Sequence, residues 1–424
     1  MHFASEVNTN ELRCILSRFL SIIGYIKLKP RLEQIEKQAR NSEWMRYSKE
    51  RLGLETALIE VLSYQKSTNR ILWPPRNPSQ YRLYSFISTV VKVYNRLPSP
   101  AKVRLTGELN KCINQEDGFG PLAFEMNMAT HLMSAGFDVT FSDLEGQAQF
   151  DLLACKDNCV VEVECKFVSA DIGRKIHQRK FLQLAEHLRP SLENIIEKSD
   201  GGTFIKVELV DRLSASTEEF ELIRNSLEEV LRGQETNSLR LSVTKNRFNF
   251  SESPIVSGTR NPRMLLDLQE YVAKYFNVNN SHIMLRADMS RATALLLSVS
   301  SKKPDRVLNS IYEKHLRESS RQLTGTRTGI ACLYFADLSE DQLHEVAGTE
   351  SHLINVVNHI LRRRPKMYGV VLMTSGTVRQ KDSRLLYVPT VTNETGPAYS
   401  FRNPFASPDE AASDVFNKIF GTHN

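Results

Sequence analysis

The chain has 424 residues, 25% charged and 41% apolar, with a net charge of +6 and a pI near 8.9. Those values are ordinary for a soluble globular protein of about two or three domains, and the mild basic excess suits a polyanion partner without requiring one. Six cysteines (Cys14, Cys112, Cys155, Cys159, Cys165 and Cys332) form no CxxC pair, which argues against a zinc site or disulfide framework and predicts reduced thiols in a cytoplasmic chain.

Residues 12–28 are apolar, but Arg13, Arg18 and Lys27 interrupt them, so neither a membrane span nor a signal segment is expected. Helix-favouring residues continue through 31–66, and proline clusters at 74–78 and 98–100 break the pattern. Residues 1–105 therefore read as a helical N-terminal region. DNA contact, homodimerisation and plain packing are all open roles for it.

From Gly118 the order of elements becomes specific. Pro121 opens a helix in which Leu122, Met126, Ala129 and Met133 form an apolar stripe bordered by Glu125, and Gly136 ends it. Strands follow at 137–141, 150–154 and 160–166, the last two joined by a turn rich in Asp and Asn. A helix over 174–198, kinked or split at Pro190, and a strand over 203–210 complete an α-β-β-β-α-β order.

Side chains alternate faces along a strand, so Glu162, Glu164 and Lys166 share one face while Val161, Val163 and Cys165 share the other. Acids on so apolar a strand are costly to bury unless paired or bound to a cation. Asp151 on the neighbouring strand brings a second carboxylate near Glu164, and hard oxygen ligands suit Mg²⁺ or Mn²⁺. Lys166 on the same face can orient a water or stabilise charge on a phosphate.

Asp151, a gap, and then Glu164-Cys165-Lys166 resemble the motif of the PD-(D/E)XK nuclease superfamily, the restriction-endonuclease-like fold. The triplet is the only acidic-x-Lys sequence in the chain. Phe150 stands where the family has a proline, and the resemblance spans roughly residues 115–212. It implies an αβββαβ core, a mixed sheet flanked by helices, and Mg²⁺-dependent hydrolysis of phosphodiester bonds. The substrate expected is DNA, with RNA not excluded. The metal would be held by Asp151, Glu164 and the backbone carbonyl near Cys165. The resemblance also implies a glutamate on the first helix reaching the metal; Glu125 matches it, against the plainer reading of a surface acid. Glu162 reads as a salt-bridge partner instead. Some exonucleases of the superfamily carry a glutamine on the helix after the lysine, for which Gln178 and Gln183 are candidates.

Lys175 and Arg179, one turn apart on the expected 174–198 helix, are candidate phosphate contacts, as are Arg363 and Arg364 at the end of a later helix. A solvated face or a helix-dipole role competes evenly with that assignment. Residues 236–424 read as a C-terminal α/β domain without a second acidic-x-Lys triplet, and 106–235 as the nuclease-like domain. The competing class is a non-catalytic nucleic-acid-binding or scaffold protein that keeps the fold.

Overall fold

The computed structural model describes residues 6–7, 9–39, 51–169, 171–198, 200–214, 216–234, 238–253, 271, 274–278, 281–288, 290–336, 350–364, 367–374, 386–387, 399–405, 416 and 420. The chain is mixed α/β and divides into two compact units, Met1–Ala170 with Val307–Asn424, and Asp171–Arg306. No described helix is long and apolar enough to cross a membrane.

The first unit begins with helices α1 (Leu12–Ile23), α2 (Tyr25–Ala39), α3 (Gly53–Thr68), α4 (Pro78–Arg96) and α5 (Ser99–Asn114). In α1 the buried residues Leu12, Leu16, Phe19 and Ile23 recur every three to four positions, so one stripe faces the core. Gly24, left-handed at φ 78°, ends the helix by donating its N–H to the Leu20 carbonyl. Asn77 caps α4 by accepting from the Gln80 N–H, with Pro78 in the first turn. Leu83, Tyr84, Phe86, Ile87, Val90 and Val93 of α4 are all buried, and each such side chain stabilises the fold by about 1.5–3 kcal/mol.

Helix α6 (Gly120–Ser134) packs on α4 and on the sheet. Strand β2 (Asp138–Phe141), the four-residue helix α7 (Ser142–Glu145), β3 (Leu152–Lys156) and β4 (Cys159–Val168) follow. The strands β2, β3 and β4 form an antiparallel meander. After the second unit, α10 (Val307–Ser310), a π-helical stretch Ile311–Leu316 and α11 (Arg317–Gln322) lead into β9 (Thr328–Phe335), parallel to β4. Helix α12 (Glu350–Arg363) then leads to β10 (Met367–Thr374), parallel to β9, and β12 (Tyr399–Arg402) closes the edge. The sheet order is β12-β10-β9-β4-β3-β2; separately, β1 (Glu6–Val7) pairs with β11 (Leu386–Tyr387). Val161 and Val163 of β4 point into the helical core that also holds Phe19, Phe86 and Phe119.

The second unit contains α8 (Gln178–Lys198), β5 (Gly202–Leu209), α9 (Thr217–Leu231), β6 (Leu241–Phe248), β7 (His282–Asp288) and β8 (Thr293–Ser301). Its sheet has the order β6-β5-β8-β7, with β5 and β8 parallel. Ser216 caps α9, accepting from the Glu219 N–H. Pro190 lies inside α8, which runs through it as one helix.

Two arrangements differ from the sequence reading. The strand expected to complete the α-β-β-β-α-β order, here β5, pairs with β6 and β8 in the other sheet. The place beside β4 belongs to β9, so the order within one sheet is α6-β2-β3-β4-helix-β9, with the second unit inserted after β4. The compact units accordingly do not follow the expected boundaries at 105/106 and 235/236: the N-terminal helices share a core with β2–β4, and the chain after 306 returns to the first unit.

Gly118 tests the seam between α3 and α6. It is left-handed at φ 53°, and a Cβ there would collide with the Glu55 carboxylate. Gly107, by contrast, lies inside α5 with nothing within 4 Å of a Cβ. Gly118→Ala should cost more than about 1 kcal/mol in denaturant unfolding, whereas Gly107→Ala should stabilise by about 0.4–1 kcal/mol. Equal effects from the two substitutions would contradict this reading.

Candidate active site

The β3–β4 turn is tight, with Asp157 in the left-handed region at φ 50°. Pairing of Leu152 with Val163 places Asp151 and Glu164 opposite one another one step further along. The Cys165 N–H donates to Asp151 Oδ2 at 2.6 Å, fixing that carboxylate against β4. Glu164 is 0% exposed. Lys166 Nζ lies 2.8 Å from its Oε1 as an ion pair, yet neither Glu164 oxygen accepts a hydrogen bond in good geometry. Burial pushes the Glu164 carboxyl up to about 7, against the opposing pull of Lys166.

Helix α6 supplies Glu125, whose Oε1 is buried and has no hydrogen-bond partner. The short helix α7 supplies Asp143, whose Oδ1 accepts from the Leu144 N–H at 2.6 Å. One oxygen each of Glu125, Asp143 and Asp151 lie within 4.8 Å of one another. Burial, then the charge of Asp151, holds Glu125 well above the usual carboxylate range. Asp151 is raised well above its ordinary value by burial and then by Glu164. Asp143 is pushed up to about 6, chiefly by burial.

Lys166 is held by residues from beyond the inserted unit. Its Nζ donates to Gln322 Oε1 at 2.6 Å and lies 3.8 Å from Glu318 Oε1. Gln322 in turn donates to the Gln149 carbonyl at 3.4 Å. Burial disfavours the ammonium charge, but Glu164 and then Glu318 outweigh it, and the Lys166 pKa is raised. Nearby His315 is pushed down to about 4 by burial and then by Lys166, so it is neutral at physiological pH. The Cys165 thiol is held well above its usual value by burial, which leaves its backbone as the part that can serve a metal site. Glu162, also buried, accepts from Thr324 N–H at 2.8 Å and from its hydroxyl at 2.6 Å, with Arg327 at 3.9 Å; it is a structural partner there.

The structure thus brings Asp151, Glu164, Lys166 and Glu125 into one neighbourhood. The candidate phosphate contacts lie elsewhere in the chain. Helix α8 begins at Gln178, not Arg174, because the Gln178 N–H donates to Asp171 Oδ1 at 2.8 Å and caps it. Asp305 holds the preceding segment, accepting from the Lys175 N–H at 2.6 Å and pairing with Arg174 at 3.3 Å. Lys175 therefore precedes the helix and does not share a helical face with Arg179. Both belong to the second unit, as do Gln178 and Gln183. Arg363 and Arg364 are exposed at the C-terminus of α12, where Arg362 covers the Phe405 ring at 5.1 Å.

Sequence reasoning missed Asp143, Gln322 and His315. Asp143 had one usable signal, an acid immediately after a short apolar strand and before Asp151. Gln322 had none, since its proximity to Lys166 depends on β4–β9 pairing across the inserted unit. No family model, curated protein or solved structure matches the chain.

The raised carboxyls set a pH dependence. A carboxyl whose folded pKa exceeds its unfolded value of about 4 contributes stability that is fully present below about pH 4 and lost as pH rises through the folded value. For Asp143 at about 6 and Glu164 at about 7, the loss runs from pH 4 up to about 7. Chelator-treated protein should melt at a higher temperature near about pH 5.5 than near about pH 8, and Glu164→Gln should flatten the slope. Thermal melts followed by circular dichroism check this; a melting temperature that rises with pH over that window contradicts it.

Proposed function

We propose that the chain is a divalent-metal-dependent nuclease of the PD-(D/E)XK type that hydrolyses phosphodiester bonds, with DNA the favoured substrate. The carrying observation is Glu164: a fully buried carboxylate set beside the buried acid Asp151, with the Lys166 ammonium 2.8 Å from its Oε1. Burying such oxygens is costly unless a cation takes them. Supporting it, the α-β-β-β-α-β order lies within one sheet once β9 is taken as the last strand.

The donor set consists of hard oxygens and suits Mg²⁺ or Mn²⁺. Asp151 and Glu164 would hold the ion, with the Cys165 backbone carbonyl as third protein ligand. A bound ion of this kind polarises a phosphate oxygen and lowers the pKa of a coordinated water. The chain's own groups define the rest. Cys165 N–H orients Asp151 and leaves its other oxygen available. Lys166, with its raised pKa, stays an ammonium at neutral pH, so it is a donor and counter-charge for the phosphate or the attacking water, not a base. Gln322 and Glu318 fix the ammonium's position. Neutral His315 adds no further positive charge beside it.

Asp151→Ala, Glu164→Ala and Lys166→Ala should each remove Mg²⁺- or Mn²⁺-dependent cleavage of DNA while leaving the circular dichroism spectrum intact, and a chelator should stop the wild-type reaction. Cleavage that persists in Glu164→Ala sinks the assignment. The non-catalytic alternative has one observation in its favour, the ion pair that Glu164 and Lys166 already make with each other. It predicts nucleic-acid binding without cleavage under any divalent metal.

Lys175, Arg179, Arg363 and Arg364 are the proposed phosphate contacts. Binding should weaken steeply with salt, and neutralising one true contact should lower the slope of log affinity against log salt by about one unit. Fluorescence anisotropy on labelled oligonucleotides of DNA and RNA measures this. A slope unchanged in all four variants removes these residues from the interface.

A further inference from the structure

Residues 12–32 hold five Lys or Arg, residues 61–107 hold eight, and neither stretch contains an Asp or Glu. Those thirteen cations exceed the net charge of the whole chain, +6, so the remainder is net acidic. The fold brings the two stretches together, because α1 packs on α4 and α5, and α3 packs on α4. A chain that is only mildly basic overall thus gathers its positive charge in the N-terminal helices.

Several of these cations are held in place. Arg18, exposed on α1, and Lys102, half-buried on α5, lie over the ring of Tyr94 from α4, at 5.7 Å and 5.5 Å from its centroid. Arg13 donates to Asn69 Oδ1 at 3.0 Å, and Arg76 lies 5.3 Å from the centroid of the Tyr64 ring. None of these four, nor the exposed Lys66 and Arg70, pairs with an acid among the described residues. On the same α5 as Lys102, Arg104 donates to the Leu144 carbonyl of α7, next to Asp143 of the candidate site.

We propose that the face shared by α1, the end of α4 and the start of α5 binds the phosphodiester backbone of a nucleic acid, with Arg18 and Lys102 as its central contacts. This surface is separate from the carboxylates of the metal site and from Lys175, Arg179, Arg363 and Arg364. It rests on the proposed function only for the choice of nucleic acid as the polyanion.

Three physical features favour that occupant. Arg18 and Lys102 repel one another across a shared ring, and an anion between them removes the repulsion. Cations already fixed by aromatic rings and by Asn69 lose less side-chain freedom on binding, which suits the fixed spacing of phosphates along a strand. Helix α5 also makes the surface continuous with the site where cleavage is proposed, within one compact unit. The rings are already covered by cations, so the contacts go to phosphates and carry no base sequence. An anionic lipid surface is the rival polyanion, since Ile26 at the corner between α1 and α2 is 88% exposed. Its headgroups are mobile, however, and draw no advantage from cations held at set positions.

The test uses the full chain with a chelator present, so that the nucleic acid stays intact. Fluorescence anisotropy follows labelled oligonucleotides of two unrelated sequences over a range of salt. Arg18→Gln and Lys102→Gln should each lower the slope of log affinity against log salt by about one unit, and the double variant by about two, equally for both sequences. Arg18→Lys keeps the charge and should keep the slope. Arg291→Gln, an exposed charge in the second unit, should leave it unchanged. Circular dichroism checks folding, and Arg13→Gln joins Arg18→Gln as the deciding pair if Lys102→Gln fails to fold. Folded variants that keep the wild-type slope, or an Arg291→Gln that lowers it equally, overturn the inference. So does sedimentation with phosphatidylserine vesicles that is lost in the double variant while oligonucleotide binding is unaltered. Cleavage is read separately with Mg²⁺. Unchanged slopes with cleavage intact defeat this surface and leave the nuclease reading standing. Lowered slopes with no cleavage by the wild type under any divalent metal do the reverse.

Discussion

Eight consecutive residue pairs, Val161–Val168 with Thr328–Phe335, join β4 to β9 in parallel. That pairing makes one sheet from two pieces of chain separated by an entire folded unit. It sets Glu164 beside Ala331 and Lys166 beside Leu333, so β4 lies between β9 and β3 in the sheet, flanked by strands on both sides over Val161–Val163 and by β9 alone beyond them. It also delivers Thr324 to the buried Glu162 and Gln322 to Lys166. Without β9, two charged side chains of β4, Glu162 and Lys166, would lack those partners.

The helical layer answers the other face of the same strand. Val161 and Val163 sit in a core shared with α1, α4 and α6. Glu55, from α3, accepts the Phe119 N–H at 2.7 Å at the start of α6, and burial pushes its carboxyl up to about 7. Arg51 ties Asp117 at 2.9 Å and also bonds Ser169 just past β4. The N-terminal helices therefore do more than cover the sheet: they hold the helix that carries Glu125 against the strand that carries Glu164.

Local features of this arrangement were legible in the sequence, and long-range ones were not. The β3–β4 hairpin follows from Asp157 and Asn158, and the shared face of Glu164 and Lys166 follows from strand alternation. The apolar stripe of α6 placed Glu125 at its border. The partner of β4 was misread because 203–210 follows β4 in the order α-β-β-β-α-β and 328–335 lies beyond a whole inserted unit, and nothing local says which pairs with what. The start of α8 was misread because Arg174 and Lys175 favour helix by propensity, while the capping Asp171 and the holding Asp305 are visible only in three dimensions. Asp143 escaped notice because a cluster drawn from three separate elements leaves no fixed spacing.

The placement of the inserted unit has a consequence for the order of events during synthesis. Asp151, Glu164 and Lys166 leave the ribosome well before Gln322 and β9, with Asp171–Arg306 made in between. Closing so long a loop costs entropy that a hairpin does not, and contacts distant in sequence form late. A growing chain can form the β3–β4 hairpin early, but the strand then has one open edge and Lys166 has no Gln322. The charged groups of the site gain their last partners only when β9 docks, so the site is completed only after the inserted unit has been made.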